Sequence, residues 1–172
     1  MFKRLLFIVI MCYGSATVMA QKREVEANLK AVFIYNFIKY IDWNAPVNDS
    51  FIIAVIGASP VYSSLQEIAK DETVNGKKII VLHFSSPDDI THCNILFIPA
   101  STQYSLSSIL ARIGKGTLTI SEEPGYAEMG TAFNFVLARD KLKFEANLNA
   151  IDAAGLKASS QLLKLAIIVN QK

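Results

Sequence analysis

VEANLKAVFIYNFIKYIDW, Val25 to Trp43, is the one long stretch of this chain whose apolar residues recur at helical spacing. Leu29, Val32, Phe33, Phe37, Tyr40 and Ile41 follow i, i+3, i+4, i+8, i+11 and i+12. Ala31, Ile34, Tyr35 and Ile38 fill much of the remaining circumference, which predicts a first helix buried on more than one side. After Ala27, only Asn28, Lys30, Asn36, Lys39 and Asp42 interrupt it. Asn36 lies among large apolar neighbours, so a buried amide held by hydrogen bonds is expected there.

On the amino-terminal side, Met1 to Ala20 has the pattern of a secretory signal peptide. Lys3 and Arg4 form the charged start, Leu5 to Tyr13 the apolar middle, and Val18-Met19-Ala20 the small-residue cleavage site. The apolar run is too short to span a bilayer, and nothing later approaches the ~20 apolar residues a membrane helix needs. Bulky Met11 before Cys12 argues against lipid attachment. Cleavage leaves Gln21 first and one domain over residues 21–172, and the 52% apolar share of the full 172 residues supports a sizeable core. The remainder carries fifteen basic and fifteen acidic residues, and no basic run exceeds two, which excludes a nucleic-acid binder needing a phosphate-neutralising patch. Cys93 is then the only thiol, so no internal disulfide can form, and it is expected to be buried where a strand opens. His83, His92 and Cys93 match no zinc spacing.

On the carboxyl-terminal side, Trp43 to Ser50 reads as the turn ending the helix. Phe51 to Ile56 is a continuous apolar run, as expected of a strand covered on both faces in a parallel sheet. Gly57-Ala58-Ser59-Pro60 turns into a second helix with Ser59 as N-cap, Pro60 at its first position and Val61, Leu65, Ile68 and Ala69 inward. Thr73 to Lys78 is expected to be a polar loop, Ile79 to Phe84 a second strand, and Asn94 to Ile98 a third. Leu106, Ile109, Leu110 and Ile113 predict a helix capped by Gly114. A fourth strand spans Thr117 to Ile120. Thr131 to Leu137 and Leu142 to Ala146 then predict an antiparallel hairpin with one polar face. Leu148 to Ala154 closed by Gly155, and Ser159 to Val169, complete the chain as helices. The fold class is α/β: a single-domain layered sandwich with a mixed, mostly parallel sheet, a carboxyl-terminal antiparallel hairpin, and helices on both faces.

Catalytic readings fail one by one. Ser59 lies where hydrolases place a nucleophile, but the oxyanion hole needs the next residue's N–H, and Pro60 has none. Glu122 and Glu123 follow a strand's carboxyl end, where open α/β sheets hold ligands, yet adjacent carboxylates diverge and an exposed turn is expected. Gly125 and Gly130 flank a stretch with neither P-loop nor dinucleotide spacing and read as loop glycines. No enzyme, cofactor or metal is expected.

KAVFIYNFIKYIDW at Lys30 to Trp43, the Cys93 strand, LTIS at Leu118 to Ser121 and FEANLNAIDAAGLKASSQLLKLA at Phe144 to Ala166 together resemble the YfiR family. The resemblance covers nearly all of the chain after residue 20 and marks Lys30, Phe33, Tyr35, Asn36, Phe37, Trp43, Cys93, Asn134, Phe144, Gly155 and Leu156 as its motif residues. It implies a periplasmic protein that binds the periplasmic sensor domain of an inner-membrane signalling protein, a diguanylate cyclase. By repressing that enzyme it would limit cyclic-di-GMP and biofilm formation, as a soluble homodimer. One departure stands out, since the family's known repressor form has paired cysteines and Cys93 has no partner. The alternative is a periplasmic small-ligand-binding protein related by fold.

Overall fold

The computed structural model describes residues 21–43, 49–139 and 141–170. The expected signal peptide and the middle of the Trp43 to Ser50 turn lie outside the described residues. Along the chain come α1 (residues 21–38), β1 (Ile41–Asp42), β2 (Ser50–Ile56), α2 (Pro60–Asp71), β3 (Thr73–Val74) and β4 (Lys77–Phe84). β5 (Ile95–Ile98), α3 (Leu106–Leu110), β6 (Leu118–Ser121), β7 (Phe133–Ala138) and β8 (Lys141–Asn147) follow. The chain then forms α4 (Leu148–Ala153), β9 (Lys157–Ala158), α5 (Ser160–Leu163) and β10 (Ile167–Val169).

The main sheet has eight strands in the order β10-β8-β7-β6-β5-β2-β4-β3. β4, β2, β5, β6 and β7 run parallel, and β8 returns antiparallel to β7, as the hairpin pattern requires. Period-two alternation separates the faces. Phe51, Ile53 and Val55 of β2, Ile95 and Phe97 of β5, and Phe133 and Phe135 of β7 enter the larger core with α1, α2 and α4. Ala54, Ile56, Leu96 and Ile98 point the other way into a smaller core under Leu106 and Ile109 of α3. Helices therefore cover both faces of the sheet.

Several boundaries differ from the sequence expectations. α1 buries Ala27, Ala31, Ile34, Phe37 and Ile38, while Leu29 and Val32 are 43% and 45% exposed. Both stripes are apolar, and the one with two alanines goes inward because small side chains let the helix approach the sheet closely enough to pack Phe37. Asn36 is exposed, so its amide is solvated rather than buried. The helix stops at 38, where Tyr40 N–H closes onto Phe37 O at 3.0 Å and the Trp43 indole donates to Ile38 O at 3.0 Å. These bonds satisfy last-turn carbonyls. They release Ile41 and Asp42 to pair antiparallel with Ala158 and Lys157.

The polar loop at Thr73 to Lys78 is instead a hairpin. Asn75 and Gly76 both have positive φ, 52° and 78°, the geometry that joins β3 tightly to β4. α3 ends at Leu110 with Ala111 as C-cap, short of Gly114. The last expected helix is one turn capped by Ser159, after which Ile167–Val169 pairs parallel with β8 at the sheet edge. Gly155 does end α4: at φ 73° it lets Leu156 N–H reach Ile151 O at 3.1 Å and Gly155 N–H reach Asp152 O at 2.8 Å.

Candidate functional site

From β2 the chain steps through α2 to β4 on one side, and β5, β6 and β7 extend the sheet on the other. The carboxyl ends of β2 and β5 therefore mark a topological switch point, where doubly wound sheets of this strand order hold their ligands. Here the chain's own hydrogen bonds draw that crevice together. Ser101 Oγ donates to Ala58 O at 2.8 Å, and His83 Nε2 lies 3.0 Å from Gly57 O. Ser59 caps α2, its Oγ accepting from Val61 N–H at 3.3 Å, which is the structural role its sequence context suggests.

Across the crevice lies Lys30, buried and held by two carboxylates. Its Nζ is 2.5 Å from Glu122 Oε2 and 2.6 Å from Glu26 Oε1. Glu122 Oε1 also accepts the Ala100 N–H at 3.1 Å, so one carboxylate ties α1, the β5 loop and the end of β6 together. Burial pulls the Lys30 ammonium pKa down, but the bonds to Glu122 and Glu26 outweigh it and leave it above the ordinary lysine value. Glu122 is thus no exposed turn residue. It is the site residue that sequence reasoning missed, and its only signal was its place just past a strand's carboxyl end. Lys30, read as a polar interruption of the first helix, is the group it holds.

Two hollows open beside this cluster. One, of about 390 Å³, runs between α1 and the β7–β8 hairpin and is bounded by Glu26, Lys30 and Glu122 with Phe135, Leu137 and Leu142. The other, of about 160 Å³, lies toward Arg23, Ser59 and Pro60.

The remaining family-motif residues spread over the fold. Phe33, Phe37 and Phe144 form one aromatic layer with Phe133 and Phe135. Tyr35 Oη donates to Glu72 at 2.6 Å, and that bond, with burial adding to it, raises the phenol pKa. Trp43 packs edge-on against Phe51, with ring centroids 5.0 Å apart. Asn134 is fully buried, accepting from Ser121 Oγ at 2.7 Å and donating to Glu145 at 3.0 Å. Cys93 is buried two residues before β5, and desolvation pushes its thiol up to about 12. Leu156 fills the core beside Ile151. Among these residues, only Lys30 reaches the switch-point cluster.

Among the described residues, no cluster of His, Cys, Asp and Glu could hold a metal ion, and no helix is long and apolar enough to cross a membrane. His83 and His92 are exposed and far apart in role: His83 meets a backbone carbonyl and the Tyr62 ring edge, not a serine held for attack. What the site offers is a half-buried charge cluster beside an apolar groove, suited to binding. A family model described as YfiR/HmsC-like matches residues 27–167.

Proposed function

Since the chain belongs to the YfiR/HmsC-like family, we propose that it is an exported regulatory binding protein that represses an inner-membrane diguanylate cyclase through the enzyme's periplasmic sensor domain. The exported form starts at Gln21 and comprises residues 21–172. The observation that supports a binding role for this chain is the outer side of α1. Val25, Leu29 and Val32 stand exposed there at helical spacing while the opposite stripe is buried. Apolar side chains aligned on an exposed face are the usual mark of an interaction surface.

Such a regulator needs only differential affinity. A preference of ~1.4 kcal/mol for the inactive sensor conformation shifts its population tenfold. The protein acts as a homodimer, for which the outer edge of β10 offers a self-complementary strand with Ile167 41% and Ile168 47% exposed. Deleting the gene should raise cyclic-di-GMP and exopolysaccharide, and the purified protein should retain the cyclase's sensor domain. Unchanged cyclic-di-GMP together with no retained sensor domain rejects the repressor reading. Sedimentation of Ile168→Lys separates the dimer question, because that variant should run as a monomer where the unaltered protein runs as a dimer.

A further inference from the structure

The groove between α1 and the β7–β8 hairpin has a chemical character of its own. Its volume of about 390 Å³ falls in the range that holds small organic ligands. Pro124, Phe135, Leu137 and Leu142 give it an apolar lining, which Glu26, Lys30 and Glu122 of the ion cluster complete. Within that cluster two carboxylates face one ammonium, leaving one negative charge in excess. Lys30 is enclosed between its partners, and both oxygens of Glu122 are engaged, by Lys30 Nζ and by Ala100 N–H. Glu26 uses Oε1 for Lys30 and keeps its side chain 35% exposed, the carboxylate with room to meet a further donor. Arg23 lines the neighbouring hollow and not this groove. An anion placed in the groove would meet both glutamates. A neutral apolar molecule would gain only the lining.

We propose that this groove binds a small amphipathic cation, an ammonium group on an aromatic or branched aliphatic body, with the ammonium on Glu26 and the body between α1 and the hairpin. The charge complement argues for this occupant over an anion, and the apolar lining argues for it over a bare metal cation or a simple ammonium ion. The site is distinct from the outer stripe of α1, so it neither requires nor excludes repression of a cyclase.

Three probes of nearly equal shape test the charge preference: phenethylamine, phenethyl alcohol and phenylacetate, titrated into the exported protein at neutral pH and followed by amide chemical shifts. Phenethylamine should bind saturably, at least about tenfold tighter than the other two, because a charge-assisted hydrogen bond is worth that or more. The shifts should map to α1 and the β7–β8 hairpin. Glu26→Gln should bring phenethylamine down to the affinity of the alcohol. Leu137→Lys should abolish its binding without unfolding the domain, since Leu137 sits 65% exposed at the rim and the new ammonium takes the ligand's place. Equal affinity for all three probes, preference for phenylacetate, shifts elsewhere on the protein, or no saturable binding at millimolar concentration would each overturn the proposal. A failed titration would leave sensor-domain retention intact, and loss of retention would leave the titration intact, so the two readings fail separately.

Discussion

Strands β6, β7 and β8 carry two different interiors on their opposite faces. On one face Phe133, Phe135 and Phe144 stack with Phe33 and Phe37 of α1, ring centroids of Phe37 lying 4.8 Å from both Phe133 and Phe144. On the other, Thr119, Ser121, Thr131 and Asn134 are equally buried, but they are held by hydrogen bonds. Ser121 Oγ lies 2.7 Å from Thr131 Oγ1 and donates to Asn134 Oδ1 at 2.7 Å, while Thr119 Oγ1 accepts Ala132 N–H at 2.9 Å. The first interior is held by area and shape. The second tolerates burial only because each polar group has a partner. A shared strand thus supports both solutions, and the covering segment differs: a long helix over the aromatics, the loop following Ser121 over the polar network.

The largest expected effect falls on the aromatic face. Phe37→Ala should cost ~3–5 kcal/mol in a denaturant melt, because a fully buried ring is lost from the middle of an aromatic layer and leaves a cavity. A loss under 1 kcal/mol would mean that the layer is plastic, and the contrast between the two faces would dissolve.

The polar face should respond less, and for a different reason. Asn134→Leu keeps the branched outline of the side chain but removes the acceptor of Ser121 and the donor to Glu145. Ser121 Oγ then keeps only Thr131 Oγ1 at 2.7 Å and Phe133 O at 3.3 Å, and losing the two buried bonds of Asn134 should cost ~1–3 kcal/mol. Adding Ser121→Ala to Asn134→Leu should cost less than Ser121→Ala costs alone, since the bond between the two is already gone. Additive losses in this double-mutant cycle would show that the network does not act as a unit.

The same contrast explains what could be read in the sequence. Alternation of Phe133, Asn134 and Phe135, and of Phe144, Glu145 and Ala146, reveals the hairpin and its two faces, but it cannot reveal that Asn134 is fully buried, because the cover comes from a loop without periodicity. In α1 two apolar stripes compete, and the inward one is set by the closeness that Ala27 and Ala31 permit. Residues 165–169 are a short apolar run that fits a helix or an edge strand equally, and only pairing with β8 decides it. Asn75-Gly76 did carry a hairpin signal in plain view. The Lys30–Glu122 pair joins positions 92 apart in sequence, so it becomes legible only once the strand order is known.

Cys93 extends the comparison to the apolar half of the second face, where it packs with Leu96, Ile98 and Ile109. Its thiol should react only after unfolding, because burial holds it neutral. The pH dependence has a definite sign. The folded value of about 12 exceeds the ordinary 9.0, so both states keep the proton below pH 9 and stability is full there. Between the two values the unfolded chain ionises first, and stability should fall by ~1.4 kcal/mol per pH unit. Tyr35 and Lys30, also raised, push the same way from their ordinary values of 10.0 and 10.5 upward. The slope difference between unaltered protein and Cys93→Ala isolates the thiol, and identical slopes would place Cys93 in contact with water.

The smallest effect on stability should come from the outer side of the same helix that carries Phe37. Leu29→Ser with Val32→Ser replaces two half-exposed side chains that add little to either interior, so the melt should stay within ~0.5 kcal/mol of the unaltered protein. Lys39→Ala should be similarly mild, losing an exposed cation held 4.6 Å over the Tyr35 ring. If the outer stripe is the regulatory surface, the serine double variant should nevertheless lose retention of the cyclase's sensor domain, while Lys39→Ala on the same helix keeps it. One helix would then carry stability on the Phe37 side and recognition on the Leu29 side, separable by substitution. A double variant that melts early would assign the stripe to the fold, and one that melts normally and still retains the sensor domain would move the interface off α1 altogether.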